Sequence, residues 1–120
     1  MNTQIEVLVI GRPSRFRDSI HLLLASMSHI EKIHLADDVA LALKIKAVLA
    51  AVIVDAAVGG SRLTAAINKV KTAWPQAKLI ILVEDELEIQ AAQATGGHVL
   101  LRKGFPAAKF IEEVETLLAK

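Results

Sequence analysis

Short apolar segments alternate along the chain with amphipathic ones, and this alternation predicts strands followed by helices. The segments between the apolar runs repeat their hydrophobic residues at helical spacing, as from Phe16 to Met27. Five apolar strands that alternate with five helices predict an α/β fold, in which helices cover both faces of a parallel sheet. The predicted strands are residues 5–10, 31–36, 51–55, 79–83 and 99–102.

Helix boundaries are predicted from small polar residues and prolines. Asp37 or Asp38 is suited to cap the second helix, whose apolar stripe we place from Val39 to Ile45. Ser61 is suited to cap the third helix in the same way. Pro106 fits the first position of the last helix, where its missing N–H costs nothing.

Composition narrows the class of protein. With 120 residues, 53% of them hydrophobic, the chain predicts one folded domain spanning residues 1–120. The chain contains no cysteine, which removes disulfides and thiolate metal sites. No apolar run approaches the roughly 18 residues of a membrane span, and Met1–Gln4 does not resemble the start of a signal peptide. We therefore expect a cytoplasmic protein, with no membrane contact.

The formal net charge of +1 argues against a nucleic-acid-binding surface, because such domains are usually strongly basic. No glycine-rich dinucleotide fingerprint follows the first strand. No serine or histidine lies in a nucleophile-elbow context. The sequence thus gives no sign of a familiar enzyme class, and we expect no enzymatic activity.

Two charged residues stand where the chemistry of such folds is usually found. Asp55 ends the third strand, and Lys103 directly follows the fifth. The carboxyl ends of parallel strands share one edge of the sheet, so this acid and this lysine are expected to lie near each other. Gly11 and Arg12 follow the first strand at the same edge.

This order of segments resembles the receiver domain of bacterial response regulators over essentially the whole chain, most of all receivers joined to helix-turn-helix outputs. The resemblance implies a flavodoxin-like, doubly wound (βα)5 fold with strand order 2-1-3-4-5. It also implies that Asp55 matches the phosphoacceptor and that Lys103 matches the lysine that contacts it. The segments that carry it are residues 7–10, 16–18, 51–55, 79–83 and 100–103, together with the last helix.

The chain departs from the receiver pattern at the positions that support phosphoryl transfer. Receivers place two acids after the first strand, where this chain has Gly11 and Arg12. They end the fourth strand with threonine or serine, where this chain has Val83 and then Glu84. They carry an aromatic switch residue on the fifth strand, whereas the matching region here is Val99-Leu100 and the chain has no tyrosine.

These replacements change the electrostatics of the predicted site. Phosphoryl transfer to a carboxylate normally needs a divalent cation to neutralise the developing charge. Asp55 beside Arg12 and Lys103 gives more positive than negative charge, so Mg²⁺ should be repelled. We therefore expect no metal and no cofactor. Instead, Asp55 should pair with Lys103, Arg12 or both, which would hold the domain in one state.

Simpler interpretations of the same residues remain open. Asp55 is also suited to cap the loop that follows it, and Arg102 is an alternative to Lys103 because an alignment slips easily by one residue. The arginines of the first helical turn, among them Arg12 and Arg17, fit either a solvated surface or an anion pocket at the edge of the sheet.

Two further groups of polar residues fit structural roles. The acids Glu84, Asp85 and Glu86 suit a helix start, where the helix dipole favours negative charge, and a metal role with Asp55 is the alternative. The histidines, which include His98, lack the paired spacing of metal ligands.

Three functional hypotheses follow. The first is a degenerate receiver domain that acts by contact with a protein, either a histidine kinase or an output protein. The second is a working receiver that a histidine kinase phosphorylates on Asp55. The third is a small-anion sensor that uses Arg12 and Lys103. A weak homodimer through the fourth helix, fifth strand and fifth helix is a further expectation.

Overall fold

The computed structural model describes residues 4–96 and 99–119. The prediction for His98 therefore lies outside the described residues, as do Gly97, Lys120 and the start of the predicted N-terminal segment. The strands are β1 (Ile5–Ile10), β2 (Ile30–Ala36), β3 (Ala51–Asp55), β4 (Lys78–Val83) and β5 (Val99–Arg102). The helices are α1 (Arg15–Ala25), α2 (Val39–Ala42), α3 (Leu63–Ala73), α4 (Glu86–Gln93) and α5 (Ala107–Leu118).

The five strands form one parallel sheet in the order β2-β1-β3-β4-β5, which confirms the predicted doubly wound topology. β1, β3 and β4 lie in the middle and are almost continuously apolar, because helices cover both of their faces. The observed bounds of β1, β3 and β5 are those predicted, and β2 and β4 each begin one residue earlier.

Alternation along the strands divides the hydrophobic core into two layers. One layer joins the sheet to α2, α3 and α4, and Val52 and Val54 point into it. The other joins the sheet to α1 and α5, and Ile53 and the fully buried Phe110 belong to it. Successive side chains of a strand face opposite sides of the sheet, so one strand supplies both layers.

The second helix is much shorter than predicted. α2 makes a single turn, capped by Asp38, whose carboxylate accepts a hydrogen bond from the Leu41 N–H at 2.8 Å. The predicted stripe from Val39 to Ile45 recurs every second residue, which is the period of a strand. A continued helix cannot bury such positions on one face, and only Ala42 of α2 is buried. Residues 45–49 therefore follow without regular structure.

Two predicted helix starts were also wrong in detail. Ser61 does not cap α3, because it lies inside a 3₁₀ turn, Gly60–Arg62, and α3 begins at Leu63 without a side-chain cap. Pro106 is the capping residue of α5, and the helix begins one residue later than predicted. Asp85 caps α4 as expected for the acidic cluster, because its carboxylate accepts the Glu88 N–H at 2.9 Å.

Candidate functional site

Strand register brings Asp55 next to the end of β1. Ile10 of β1 pairs with Val54 of β3, so the next residues along each strand, Gly11 and Asp55, are neighbours at the carboxyl edge of the sheet. Gly11 continues the pairing with the other neighbour of β1, since its N–H donates to the Ala36 carbonyl at 2.9 Å. The edge predicted from the sequence is therefore the edge at which the candidate residues meet.

Asp55 forms an ion pair with Lys103. The Nζ atom of Lys103 lies 2.8 Å from Oδ1 of Asp55, and the two side chains are only 18–20% exposed. The same Oδ1 accepts a hydrogen bond from the Ala57 N–H at 3.0 Å, which starts the 3₁₀ turn Ala56–Val58. Asp55 is thus both a partner of the lysine and a cap of the following loop, the two roles that the sequence left open.

Strand alternation explains why Lys103 and not Arg102 reaches the acid. Asp55 has the same parity as Ile53, and Lys103 has the same parity as Leu101; both apolar residues belong to the core layer under α1 and α5. Arg102 has the opposite parity and is exposed. Lys103 also keeps the chain in register, because its N–H donates to the Val83 carbonyl at 2.7 Å.

An aromatic cluster supports the lysine from the side of α1 and α5. The ammonium group of Lys103 lies 5.1 Å from the ring centroid of Phe16, within the range of a cation–π contact. Phe16 meets Phe105 edge-on at 6.2 Å, and Phe105 stacks on the fully buried Phe110 at 5.7 Å. The Lys103 ammonium group thus contacts both the carboxylate of Asp55 and the first ring of this series.

Gly11 leaves the other oxygen of Asp55 open. A Cβ atom at Gly11 would lie 3.3 Å from the Asp55 Cβ and 3.9 Å from Oδ2. Among the described residues, none donates a hydrogen bond to Oδ2. The gap between Gly11 and the Asp55 carboxylate is therefore narrow, and position 11 places no side chain in it.

Arg12 does not pair with Asp55, contrary to one of the predicted pairings. Its side chain is exposed, and within residues 4–96 and 99–119 the only ion pair of Asp55 is with Lys103. The alternation of β1, extended by one residue, directs position 11 toward Asp55 and position 12 away from it. A role for Arg12 in contacting an anion stays a prediction.

Arg17 forms an internal contact that the sequence did not indicate. Its Nη1 atom donates to Asp37 Oδ1 at 2.7 Å and to the Gly11 carbonyl at 3.2 Å, and its side chain is only 15% exposed. For Arg17 the solvated alternative was therefore wrong. The contact ties the loop after β1 to the loop after β2, beside the position of the missing acids.

The positions that replace the receiver switch residues are apolar or point to solvent. Val83 is buried in the core layer under α2, α3 and α4, and Leu100 packs against the same layer. Glu84 is exposed, and its N–H donates to Oε1 of Glu88 at 2.6 Å. β4 therefore carries no hydroxyl group that could move toward a phosphoryl group on Asp55 and bind it.

The residues at this edge do not suit a divalent cation. Mg²⁺ requires several oxygen ligands in near-octahedral geometry, usually with one or two carboxylates. Among the described residues, Asp55 is the one that supplies a carboxylate within 4 Å of a Cβ placed at Gly11, and its Oδ1 is paired with the ammonium group of Lys103. In the part of the chain that the structure describes, no three or more His, Asp or Glu side chains gather as metal ligands would.

Removing the lysine tests how much the ion pair stabilises the fold. We expect Lys103→Met to lower the free energy of unfolding by about 1–3 kcal/mol, because a largely buried carboxylate loses its charged partner. The matched control is Lys109→Met, which breaks the exposed pair with Glu113 within α5 and should cost much less. Urea denaturation measures both variants. Equal losses of the free energy of unfolding would show that the Asp55–Lys103 pair stabilises the fold no more than the Lys109–Glu113 pair does.

Comparison with solved structures places this architecture among response regulators. A protein assigned as a response regulator from Chloroflexus aurantiacus J-10-fl matches with a TM-score of 0.84 and 18% identity, over 98% of this chain and 100% of that one. The chemotaxis response regulator CheY4 of Vibrio cholerae matches with a TM-score of 0.76 and 18% identity, over 96% and 99%. A response regulator receiver protein from Sinorhizobium medicae WSM419 gives 0.77 and 16%, over 97% and 95%.

The chain therefore has the fold of response regulator receiver domains, as the sequence resemblance implied. At these identities the likeness establishes the fold, and the particular link to helix-turn-helix outputs stays a prediction. No protein-family model matches the chain, and no curated protein sequence does. None of the described helices is long and apolar enough to cross a bilayer.

Proposed function

We propose that this chain is a degenerate receiver domain of the response-regulator type, which acts by contact with a protein rather than by exchange of a phosphoryl group. The observation that carries the proposal is the Asp55–Lys103 ion pair beside Gly11. Lys103 supplies a positive charge beside the carboxylate that matches the phosphoacceptor of receivers. Its partner would be a cytoplasmic histidine kinase or an output protein, and the domain would catalyse no reaction of its own.

The charges around the edge support a single, fixed state. Lys103 neutralises Asp55, and Arg17 joins the loops after β1 and β2 through Gly11 and Asp37. Side-chain cations thus form the contacts around the position where a receiver would place its metal site. A fixed cation needs no ligand from solution, so the arrangement should be the same with and without Mg²⁺.

The filled switch positions support the same proposal. In a receiver, a hydroxyl on β4 and an aromatic on β5 carry the signal from the acceptor to the face of α4, β5 and α5. Here Val83 is buried and Leu100 packs with it, so neither is free to exchange between two positions without disturbing the core. The distal face should therefore keep one conformation.

One observation favours a working acceptor as the second candidate. Oδ2 of Asp55 lies beside the small Gly11 and has no hydrogen-bond donor among the described residues. An attack on a phosphoryl donor would start from such an oxygen, and Lys103 would stabilise the negative charge that results. This candidate requires phosphorylation without a carboxylate-held metal.

The experiment compares Asp55→Asn with the natural chain by NMR, and follows both by mass spectrometry in acetyl phosphate and Mg²⁺. We expect no gain of a phosphoryl group. We also expect the amide shifts of Ile89, Leu100 and Phe110 to be unchanged by the substitution, because the coupling residues are absent. A phosphoryl adduct that Asp55→Asn abolishes would establish the second candidate. Shift changes at all three amides without an adduct would show that the switch survives by another route.

A two-fold homodimer through α4, β5 and α5 remains a prediction, and the charges of α5 weigh against it. Lys109 pairs with Glu113 on its own helix at 2.9 Å, and this hydrogen bond and charge raise the pKa of Lys109. Glu112 and Glu115 form no ion pair within the described residues. A two-fold axis at α5 would therefore bring like charges together.

A further inference from the structure

The charges of this chain are divided between two adjacent regions of one side of the sheet. From position 39 to position 83 the only acid is Asp55, which is paired with Lys103. The basic residues of the same stretch are Lys44, Lys46, Arg62, Lys69, Lys71 and Lys78. From position 84 to position 96 the order is reversed, with acids at 84, 85, 86 and 88 and no basic residue. The basic and acidic residues are therefore strongly separated, although the net charge is only +1.

The basic region contains an apolar depression, which we call the basic groove. It lies between α2 and α3, has a volume of about 340 Å³, and is lined by Val39, Leu43, Val58, Arg62, Ala66 and Lys69 among others. Leu43 is 36% exposed, and Arg62 and Lys69 form no ion pair among the described residues.

The short α2 creates this groove. Since α2 ends after one turn, the following segment leaves Leu43 and Val48 at the surface, and Val48 is 92% exposed. Leu43 lines the basic groove and also two neighbouring depressions, one of which extends to Trp74 and the other to Lys69. Exposed apolar surface that is continuous and bordered by charge is a common mark of a docking site.

The acidic region carries the complementary charge, and we call its exposed segment the acidic ridge (residues 84–88). Leu87 has 77% of its surface exposed. Glu84, Asp85 and Glu86 precede this leucine in the sequence and are all exposed. The ridge is the first turn of α4, fixed by the Asp85 cap and by the Glu88 contact to the Glu84 N–H. It therefore presents one exposed apolar side chain next to exposed acidic residues.

We propose that the acidic ridge of one copy of this chain docks in the basic groove of a second copy. Leu87 would contact Leu43, and the carboxylates around it would face Arg62 and Lys69. The two surfaces are different parts of the molecule, so the contact is head-to-tail and leaves one groove and one ridge free at the ends. A net charge of +1 opposes such association only weakly. The contact requires no phosphorylation.

Sedimentation velocity over a concentration series tests the proposal. We expect the sedimentation coefficient of the natural chain to rise with concentration in about 50 mM salt. We expect this rise to be largely lost in about 500 mM salt, because screening shortens the range of the charges. A single monomer peak up to millimolar concentration in low salt would overturn the proposal.

Three leucine-to-glutamate variants locate the contact, and each adds the same charge at an exposed site. Leu43→Glu places a negative charge in the groove, and Leu87→Glu removes the anchor of the ridge, so each should abolish association. Leu22→Glu on α1 is the matched control, since Leu22 is 70% exposed and lies outside both surfaces, and this variant should associate like the natural chain. Loss of association in the control alone would overturn the proposed location.

Mixing the two monomeric variants tests whether the acidic ridge of one copy meets the basic groove of another. The Leu43→Glu chain keeps its ridge and the Leu87→Glu chain keeps its groove, so an equimolar mixture should form complexes of two chains and no larger ones. A mixture that stays monomeric, although each variant is folded by circular dichroism, would overturn the proposal. The natural chain distinguishes head-to-tail docking from a two-fold dimer, because a two-fold dimer stops at two copies and head-to-tail docking continues to larger complexes as the concentration rises. A natural chain that reaches two copies and no more would overturn the head-to-tail arrangement.

Discussion

The double substitution Gly11→Asp with Arg12→Asp is expected to give this chain a saturable Mg²⁺ site, whereas we expect none in the natural chain. Asp at position 11 would place a second carboxylate beside Oδ2 of Asp55, and Asp at position 12 would remove the positive charge of the exposed Arg12. Together the two substitutions shift the charge by three units in the negative direction. A unit charge and a divalent cation about 4 Å apart interact by about 2 kcal/mol at the dielectric constant of water. The carboxylate at position 11 alone therefore corresponds to roughly 30-fold in affinity. Titration with Mg²⁺, followed by the thermal midpoint or by amide shifts around Asp55, measures the effect.

The control for this experiment keeps the charge change and moves it away from the site. Lys32→Asp with Gln76→Asp also shifts the charge by three units, and both positions are exposed and lie outside the Asp55 edge. This variant should bind Mg²⁺ no better than the natural chain. Adding Asp55→Asn to the first variant should weaken the new site. Saturable binding by the natural chain, abolished by Asp55→Asn, would contradict our account of the metal site.

The strands and the meeting of Asp55 with Lys103 could be predicted from the sequence because both depend on local pattern. Short apolar runs mark the buried strands, and the alternation of strands with helices along the chain predicts that the strands are parallel. In a parallel sheet all carboxyl ends lie at one edge, so an acid after β3 and a lysine after β5 come near each other without any knowledge of side-chain conformations.

The contacts of the arginines could not be predicted in the same way. Arg17 reaches Asp37 across 20 positions of sequence, and its direction depends on how α1 leaves β1 and on the rotamer of a long side chain. The one available signal was that an acid directly follows β2 at the same sheet edge. Arg12 follows β1 at the predicted edge of the sheet, but the parity of β1 directs its side chain away from Asp55.

The length of α2 could not be predicted, because the hydrophobic pattern of this segment is ambiguous between a helix and a strand. The alternating apolar residues from Val39 to Ile45 fit a strand period, while their position between β2 and β3 required a helix. The chain makes one capped turn and then an irregular segment. This compromise leaves Leu43 and Val48 at the surface, and the basic groove follows from it.

Phe110→Ala is expected to lower the free energy of unfolding by about 3–5 kcal/mol, the range for truncating a buried phenylalanine. Phe110 is fully buried in the core layer under α1 and α5, and its ring stacks on Phe105 at 5.7 Å. Such a loss is a large part of the roughly 5–15 kcal/mol that stabilises a typical domain. Urea denaturation measures it, and Phe110→Leu, which refills most of the volume, should cost clearly less and remain folded.

Substitution of Phe110 should also change the candidate site, because the rings of Phe110, Phe105 and Phe16 are in contact in that order. Phe105 would relax into the space left by Phe110, and its edge contact with Phe16 at 6.2 Å would loosen. Phe16 is the ring beneath the Lys103 ammonium group, so the amide and side-chain resonances of Lys103 should shift in Phe110→Leu as well as in Phe16→Leu. The control is Val114→Ala, which opens a cavity in the same core layer at a residue outside the series of rings and should leave Lys103 unchanged. Equal shifts of Lys103 in all three variants would mean that the packing of the whole layer, rather than the series of rings, positions the lysine against Asp55.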